Sequence, residues 1–296
     1  MAIDREKALG ADLGETTGSY GPDDVILYHL GIGAGGRATD PRELEYTFEK
    51  NLKVLPSFAV VATSGMTARA RRAPGGGAGP VGLGHVPGLS FNPALLLHGE
   101  QDVQIHRPLP TSAEITTRGR VAEIWDKGKA ALVVVEYASR DASGPLFTNR
   151  MSLFLRGEGG FGGPAGPAPS NPKPERAPDG AVDSPTLPQQ ALLYRLNGDK
   201  NPLHADPEFA ARGGFDKPIL HGLCSFGIVC KAVVDGVLGG DPTRVERYSV
   251  RFAGAAFPGE TLRTSFWREN GKVFVDVQSA ERGAPIISNA AFSLRG

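Results

Sequence analysis

Residues 194–223 read YRLNGDKNPLHADPEFAARGGFDKPILHGL, and 223–238 read LCSFGIVCKAVVDGVL. The first stretch packs an acid, histidines, amides and several glycines into a few turns of chain. Asp199 and His204 lie five residues apart, with Asn201 and Pro202 between them. The second stretch is apolar at helical spacing with small residues mixed in, the pattern of a helix covered on most of its surface. Taken alone, the Asp/His pair also describes an Asp-capped turn with a bystander histidine.

Downstream, Arg244–Ala253, Glu260–Glu269, Lys272–Glu281 and Ile286–Leu294 read as strands, and Asn270-Gly271 is a hairpin signal. The same plan precedes the motif. Asp24–Leu30 suggests a short helix, a second helix begins near Pro56, and Leu95–Gln104, Ala113–Trp125, Ala130–Ser139 and Leu146–Leu155 suggest strands. An offset of 166 residues carries Tyr28 onto Tyr194 and Leu30 onto Leu196. Residues 158–188 are dominated by proline and glycine and read as a linker. The pattern is therefore α+β and duplicated: a unit over 1–157, the linker over 158–188, and a second unit over 189–296. Residues 1–20 read as a polar lead-in and 69–87 as a loose loop. The offset sets Gly33 and Ala38 where Asp199 and His204 stand, so one site per chain is expected, in the second unit. The glycines of 31–36 lack the preceding strand of a dinucleotide-binding fingerprint.

The 296 residues allow two domains, and Lys+Arg and Asp+Glu are both 32, so no excess charge points to nucleic acid. No run of 18 apolar residues suggests a membrane span. The opening MAIDREKALGADLG lacks the apolar core of a secretory signal, and the closing SLRG differs from a peroxisomal S-K-L address. The two cysteines, Cys224 and Cys230, read as small buried thiols in a reducing compartment, and a cytoplasmic setting is expected.

The order G-D-x-N-P-L-H, then A-D-P, then F-x-K-P-I-L-H-G resembles the signature of the MaoC-like, type 2 enoyl-CoA hydratases over Tyr194–Leu223. The resemblance implies two tandem hot-dog domains, each a long central helix wrapped by a curved antiparallel sheet. It implies reversible hydration of a trans-2-enoyl-CoA to the (3R)-3-hydroxyacyl-CoA, with the coenzyme A thioester as substrate and no separate cofactor. It also implies a homodimer, and a first unit that has lost catalysis and makes room for the acyl chain, for which residues 31–36 and the helix behind them are the candidates.

The residues suit this chemistry. An imidazole titrates near neutrality and a carboxylate beside it can hold a water, so Asp199 and His204 are the catalytic candidates, with the roles of base and acid left open. Gly222, at the start of the long helix, offers a backbone N–H to a developing oxyanion. Asn201 and His221 are supporting candidates, each also readable as a loop brace. His98, in LLLHGEQ, resembles the first units of the family and is expected to serve structure or dimerisation. Lys217, Lys200 and Arg244 are the candidates for gripping coenzyme A phosphates, with Arg212 and Arg251 behind them. No metal is expected, because no Cys or Glu completes Asp199, His204 and His221 at the usual spacings. The alternatives are a hot-dog acyl-CoA thioesterase and a non-catalytic acyl-thioester binding module.

Overall fold

The computed structural model describes residues 3–62, 83, 86–92, 95–168 and 170–296. In chain order these form α1 (Arg5–Ala8), β1 (Asp12–Tyr20), α2 (Pro22–Gly31), α3 (Pro41–Thr47), α4 (Ala59–Ala62), β2 (Leu96–Ile105), β3 (Ala113–Asp126), β4 (Ala130–Asp141) and β5 (Gly144–Arg156). Then come β6 (Gly180–Pro185), α5 (Gln190–Tyr194), α6 (Pro207–Arg212), α7 (Gly222–Gly236), β7 (Val245–Phe252), β8 (Thr261–Glu269), β9 (Lys272–Ser279) and β10 (Pro285–Leu294). The strands form one ten-stranded sheet in the order β1-β3-β4-β5-β2-β7-β10-β9-β8-β6. Read outward from the central β2–β7 pair, the two halves have matching orders. The duplication seen in the sequence is thus a repeat of a five-stranded curved sheet, two hot-dog-like units fused edge to edge. The seam is antiparallel, with Glu100 opposite Arg251 and Gln104 opposite Arg247, and the Arg247 guanidinium meets the Asp102 carboxylate across it at 2.7 Å.

Two strands were not legible in advance. β1 pairs with β3 along residues expected to be a lead-in, because DLGETTGSY buries only Tyr20 and shows no apolar alternation; an edge strand held mainly by its ladder needs none. β6 lies inside the expected linker and pairs with β8. Its alternation is real but short, and Val182 is its one large apolar residue, sitting where a side chain on Gly236 of α7 would have to go. The helix expected from Pro56 starts as a 3-10 turn, Pro56–Phe58, and continues as α4; residues 63–82, and with them most of the expected loop over 69–87, lie outside the described residues. Among the described residues no helix is long and apolar enough to cross a membrane.

α7 is buried along nearly its whole length, as its all-round apolar sequence requires. Tyr248 of β7 stacks between Phe226 (4.1 Å) and Phe292 (3.9 Å) and donates its hydroxyl to the Phe226 carbonyl. α2 of the first unit crosses α7 at Gly227, where an added Cβ would lie 2.6 Å from both Tyr28 Oη and Ile32 Cγ2. A polar bridge flanks this crossing: Lys231 Nζ reaches Glu43 at 2.9 Å and Asp235 at 2.7 Å, and Tyr46 Oη donates to Asp235 at 2.6 Å. Beneath it the fully buried His29 donates from Nδ1 to the Tyr46 carbonyl (2.8 Å) and accepts at Nε2 from the Leu55 amide (3.3 Å). Both nitrogens are used only by the neutral ring, and burial pushes its pKa down to about 4.

Candidate active site

Asp199 follows a 3-10 turn, Arg195–Asn197, that ends at Gly198 with φ of 118°, a backbone geometry that favours glycine. The Asp199 carboxylate accepts the Asn201 amide at 3.1 Å, and the Asn201 side chain accepts the Leu203 amide at 3.0 Å. These two turns in series, each closed by its own side chain, shape the loop that carries Asp199 and His204. A second loop is tied to the first by the Ile219 amide, which donates to the Leu203 carbonyl, and to the segment after β7 by the Leu220 amide, which donates to the Ala256 carbonyl. His204 Nδ1 lies 2.9 Å from the Ile219 carbonyl. A carbonyl only accepts, so Nδ1 carries the proton and Nε2 keeps its lone pair.

Asp199, His204 and Gly222 all line one large cavity of about 1770 Å³. One ligand-type atom from each of Asp199, His204 and His221 lies within 4.8 Å of the others, close enough for carboxylate and imidazole to share a water. Burial lowers the His204 pKa below the usual imidazole value; the Ile219 carbonyl and the Asp199 charge oppose this, and Arg195 adds to it. The ring is therefore neutral, with a free base nitrogen, at neutral pH. Gly222 is the first residue of α7, whose first backbone hydrogen bonds run from the Cys224 and Ser225 amides to the His221 carbonyl. The helix itself makes no use of the Gly222 amide. A Cβ at Gly222 would lie 3.2 Å from the Phe252 ring, so the bare Cα leaves the approach open.

Of the supporting candidates, Asn201 lines the cavity and also caps its own loop. His221 lies behind the cavity wall, 1% exposed, stacked on His204 at 3.7 Å and hydrogen bonded to the Asp199 main chain at 3.3 Å. Lys200 lines the cavity. Lys217 sits over the Phe257 ring at 5.1 Å, and Arg244 closes the turn Pro242–Arg244; neither is part of the cavity wall. Arg251, ranked behind them from sequence, does line it, whereas Arg150 and Arg247 at the same wall are committed to Glu123, Glu136 and Asp102. Residues 31–36 are not at the cavity. Gly31 packs against Tyr194 and Asn197, and Gly35 against Thr47, because the α2 end seals the contact with α5. The first unit reaches the cavity through β1 to β5 and through Ala62 of α4, in the helix expected behind residues 31–36, with Leu97, Leu132, Leu153 and Phe154 among its lining.

Sequence reasoning missed Phe252 and, at His98, the direction in which the side chain points. Phe252, which covers Gly222, carries no polar signal. His98 is aimed at Phe252 (5.1 Å, edge-on) where the β2–β5 register slips between His98 and Glu100. The Gly99 between them was the one available sign of a bulge that re-aims a side chain.

Two family models match most of the chain. Residues 19–157 match the family described as MFE-2 hydratase 2 N-terminal domain, and residues 169–290 match the MaoC like domain. Enoyl-CoA hydratase ChsH3 of Mycobacterium tuberculosis is 45% identical over 289 residues, covering 97% of each chain. The peroxisomal enoyl-CoA hydratase 2 of Arabidopsis thaliana is 42% identical over 297 residues, covering 95% of this chain and 92% of that one. Among solved structures, a MaoC-like dehydratase from Phytophthora capsici superposes with a TM-score of 0.86 at 34% identity, over 99% of both chains.

Proposed function

The chain belongs to the MaoC-like, hydratase 2 family of double hot-dog proteins, and from that premise we infer that it is a lyase, an enoyl-CoA hydratase/dehydratase acting on acyl-CoA thioesters. The observation that carries this reading is the pairing of the Asp199 carboxylate with a neutral His204 whose Nε2 has no partner among the described residues, in a cavity that Gly222 also lines.

In the hydration direction a water lies between the Asp199 carboxylate and His204 Nε2. As its oxygen bonds to C3 of the trans-2-enoyl thioester, one O–H bond breaks and the proton passes to Nε2. The C2=C3 π electrons move toward the thioester, and the charge on its oxygen is met by the Gly222 amide and the positive end of α7. The enolate then takes the proton back at C2, and the neutral ring is restored. Asp199 holds the second water hydrogen throughout and steadies the transient imidazolium. We assign the (3R) configuration to the product and the cytoplasm as the setting; the free thiols of Cys224 and Cys230 support a reducing compartment. Phosphate contacts are assigned to Lys200 and Arg251, which line the cavity beside Asp199 and Phe252 and, like Lys127 and Arg156 on the same wall, stand outside the ion pairs above. A homodimer is also part of the proposal, supported by the exposed Leu30, Leu187, Leu192 and Leu196 around α2 and α5.

The test is to incubate the protein with a trans-2-enoyl-CoA and follow both enoyl absorbance and free thiol. Loss of absorbance with no thiol released, and a chiral product of the 3R series, is expected. Thiol release would instead mark a thioesterase, and binding without turnover a non-catalytic module.

A further inference from the structure

His221 touches both members of the catalytic pair without entering the cavity. Its ring lies against the His204 ring, with centroids 3.7 Å apart and planes 25° apart, and its other neighbour is the Tyr194 ring at 4.9 Å. Its Nε2 faces the Asp199 carbonyl, an acceptor, so Nε2 carries the proton. Its Nδ1 is buried and has no partner among the described residues. An unsatisfied nitrogen in that position is unfavourable, and an apolar ring would fill the space without it. Histidine combines, in a small ring, a flat face for His204 with an N–H for the Asp199 main chain.

We propose that His221 is a positioning residue for the pair, holding the Asp199 main chain through its N–H and covering one face of His204 with a neutral ring. The proposal rests on the hydratase reading for its catalytic consequence, but the contact itself can be measured without turnover. The cover keeps water off His204 and so keeps Nε2 unprotonated. When His204 takes the water's proton, a neutral ring can bear the resulting charge, whereas a protonated one would repel it. His221 meets that condition: burial, then the neighbouring His204, pushes its pKa down to about 2. The other groups facing the stack act in known directions. Arg195 lowers both histidines, the Asp199 carboxylate raises His204, and the Tyr194 hydroxyl is held neutral by burial. On the first unit's side, His98 is close enough to feel the Asp199 charge and is pushed down by burial to about 4.

The test compares His221→Phe, which keeps the face and loses the donor, with His221→Gln, which keeps a donor and loses the face. His204 is titrated by NMR in each full-length protein, and kcat, KM and the pH profile of hydration are recorded alongside. His221→Gln is expected to raise the His204 pKa and to move the acid limb of kcat/KM with it. His221→Phe is expected to leave that pKa in place and lower kcat by about 10-fold to 100-fold with KM little changed, as a loosened Asp199 main chain would. If the phenylalanine variant does not fold, His221→Leu replaces it as the cover without a donor and is read the same way. An unmoved His204 titration in the glutamine variant overturns the proposal, as does full kcat in the variants lacking the donor. Should the wild-type protein hydrate no enoyl-CoA, the hydratase reading falls, and the titration alone still decides whether the ring sets His204.

Discussion

His204 Nδ1 donates to the carbonyl of Ile219 at 2.9 Å, and that one bond fixes which nitrogen can work. The ring is presented with Nε2 unprotonated, on the loop that also carries Asp199. Replacing either group removes half of the water's binding site. His204→Gln and Asp199→Asn should each lower kcat by about 10²–10⁴ while leaving the unfolding midpoint near wild type. Steady-state kinetics with a trans-2-enoyl-CoA, beside a thermal melt, checks both; a variant that keeps wild-type kcat removes its residue from the chemistry.

The pH dependence has a defined sign. The working form of His204 is neutral, and burial sets its pKa below 6.5. Activity in the hydration direction should therefore be flat through neutrality and fall only as pH drops through that lowered value. An acid limb of kcat/KM lying above the ordinary imidazole pKa would show that His204 is not the base.

Stability should lose ground in the same acid range for a separate reason. The His29 pKa in the fold is about 4, against 6.5 for a free imidazole. The unfolded chain thus binds the extra proton first. The contribution of the neutral, buried ring is complete above pH 6.5, shrinks as pH falls from 6.5 toward 4, and is flat below; the loss is roughly 3 kcal/mol. Denaturant titrations of wild type and His29→Gln at about pH 7 and about pH 5 read this directly. The variant should be weaker at both but less sensitive to pH, and an unchanged sensitivity would refute the assignment.

Two glycines of α7 should behave in opposite ways. Gly227→Val forces carbon into space held by Tyr28 and Ile32, with Cβ only 2.6 Å away, and should destabilise by about 1–3 kcal/mol or more. Gly222→Val meets the half-buried Phe252 ring at 3.2 Å, which can give way, so the fold should hold. Its cost falls on the thioester's approach to the backbone, and kcat should drop by about 10²–10³ if the oxyanion contact is lost. A stable, fully active Gly222→Val would place the oxyanion elsewhere.

How much of this was legible beforehand follows from where the signal resides. Asp199 and His204 could be named as candidates because the loop that carries them is closed by its own side chains, and Gly222 because it opens an apolar helix, so both signals are written in consecutive residues. Strands with one wet and one buried face, such as β9 with its alternating Val273, Val275 and Val277, were placed to within a residue or two. β1 and β6 were not, since an edge strand is specified by a neighbour's unpaired backbone rather than by its own side chains. The cavity's far wall was misplaced onto residues 31–36 because glycine content suggests space. Here Gly31 serves close packing against Tyr194 and Asn197 of the second unit, a long-range contact that no local pattern encodes, and Gly35 packs against Thr47.

The most direct test of the central claim is to run the reaction on a trans-2-enoyl-CoA in heavy-oxygen water and locate the label by mass spectrometry. A water activated by Asp199 and His204 puts the label on the C3 hydroxyl of a product still joined to coenzyme A, and His204→Gln slows the incorporation by about 10²–10⁴. Label found in a free carboxylate with coenzyme A released, or on C3 at the same rate in the variant, would contradict the account.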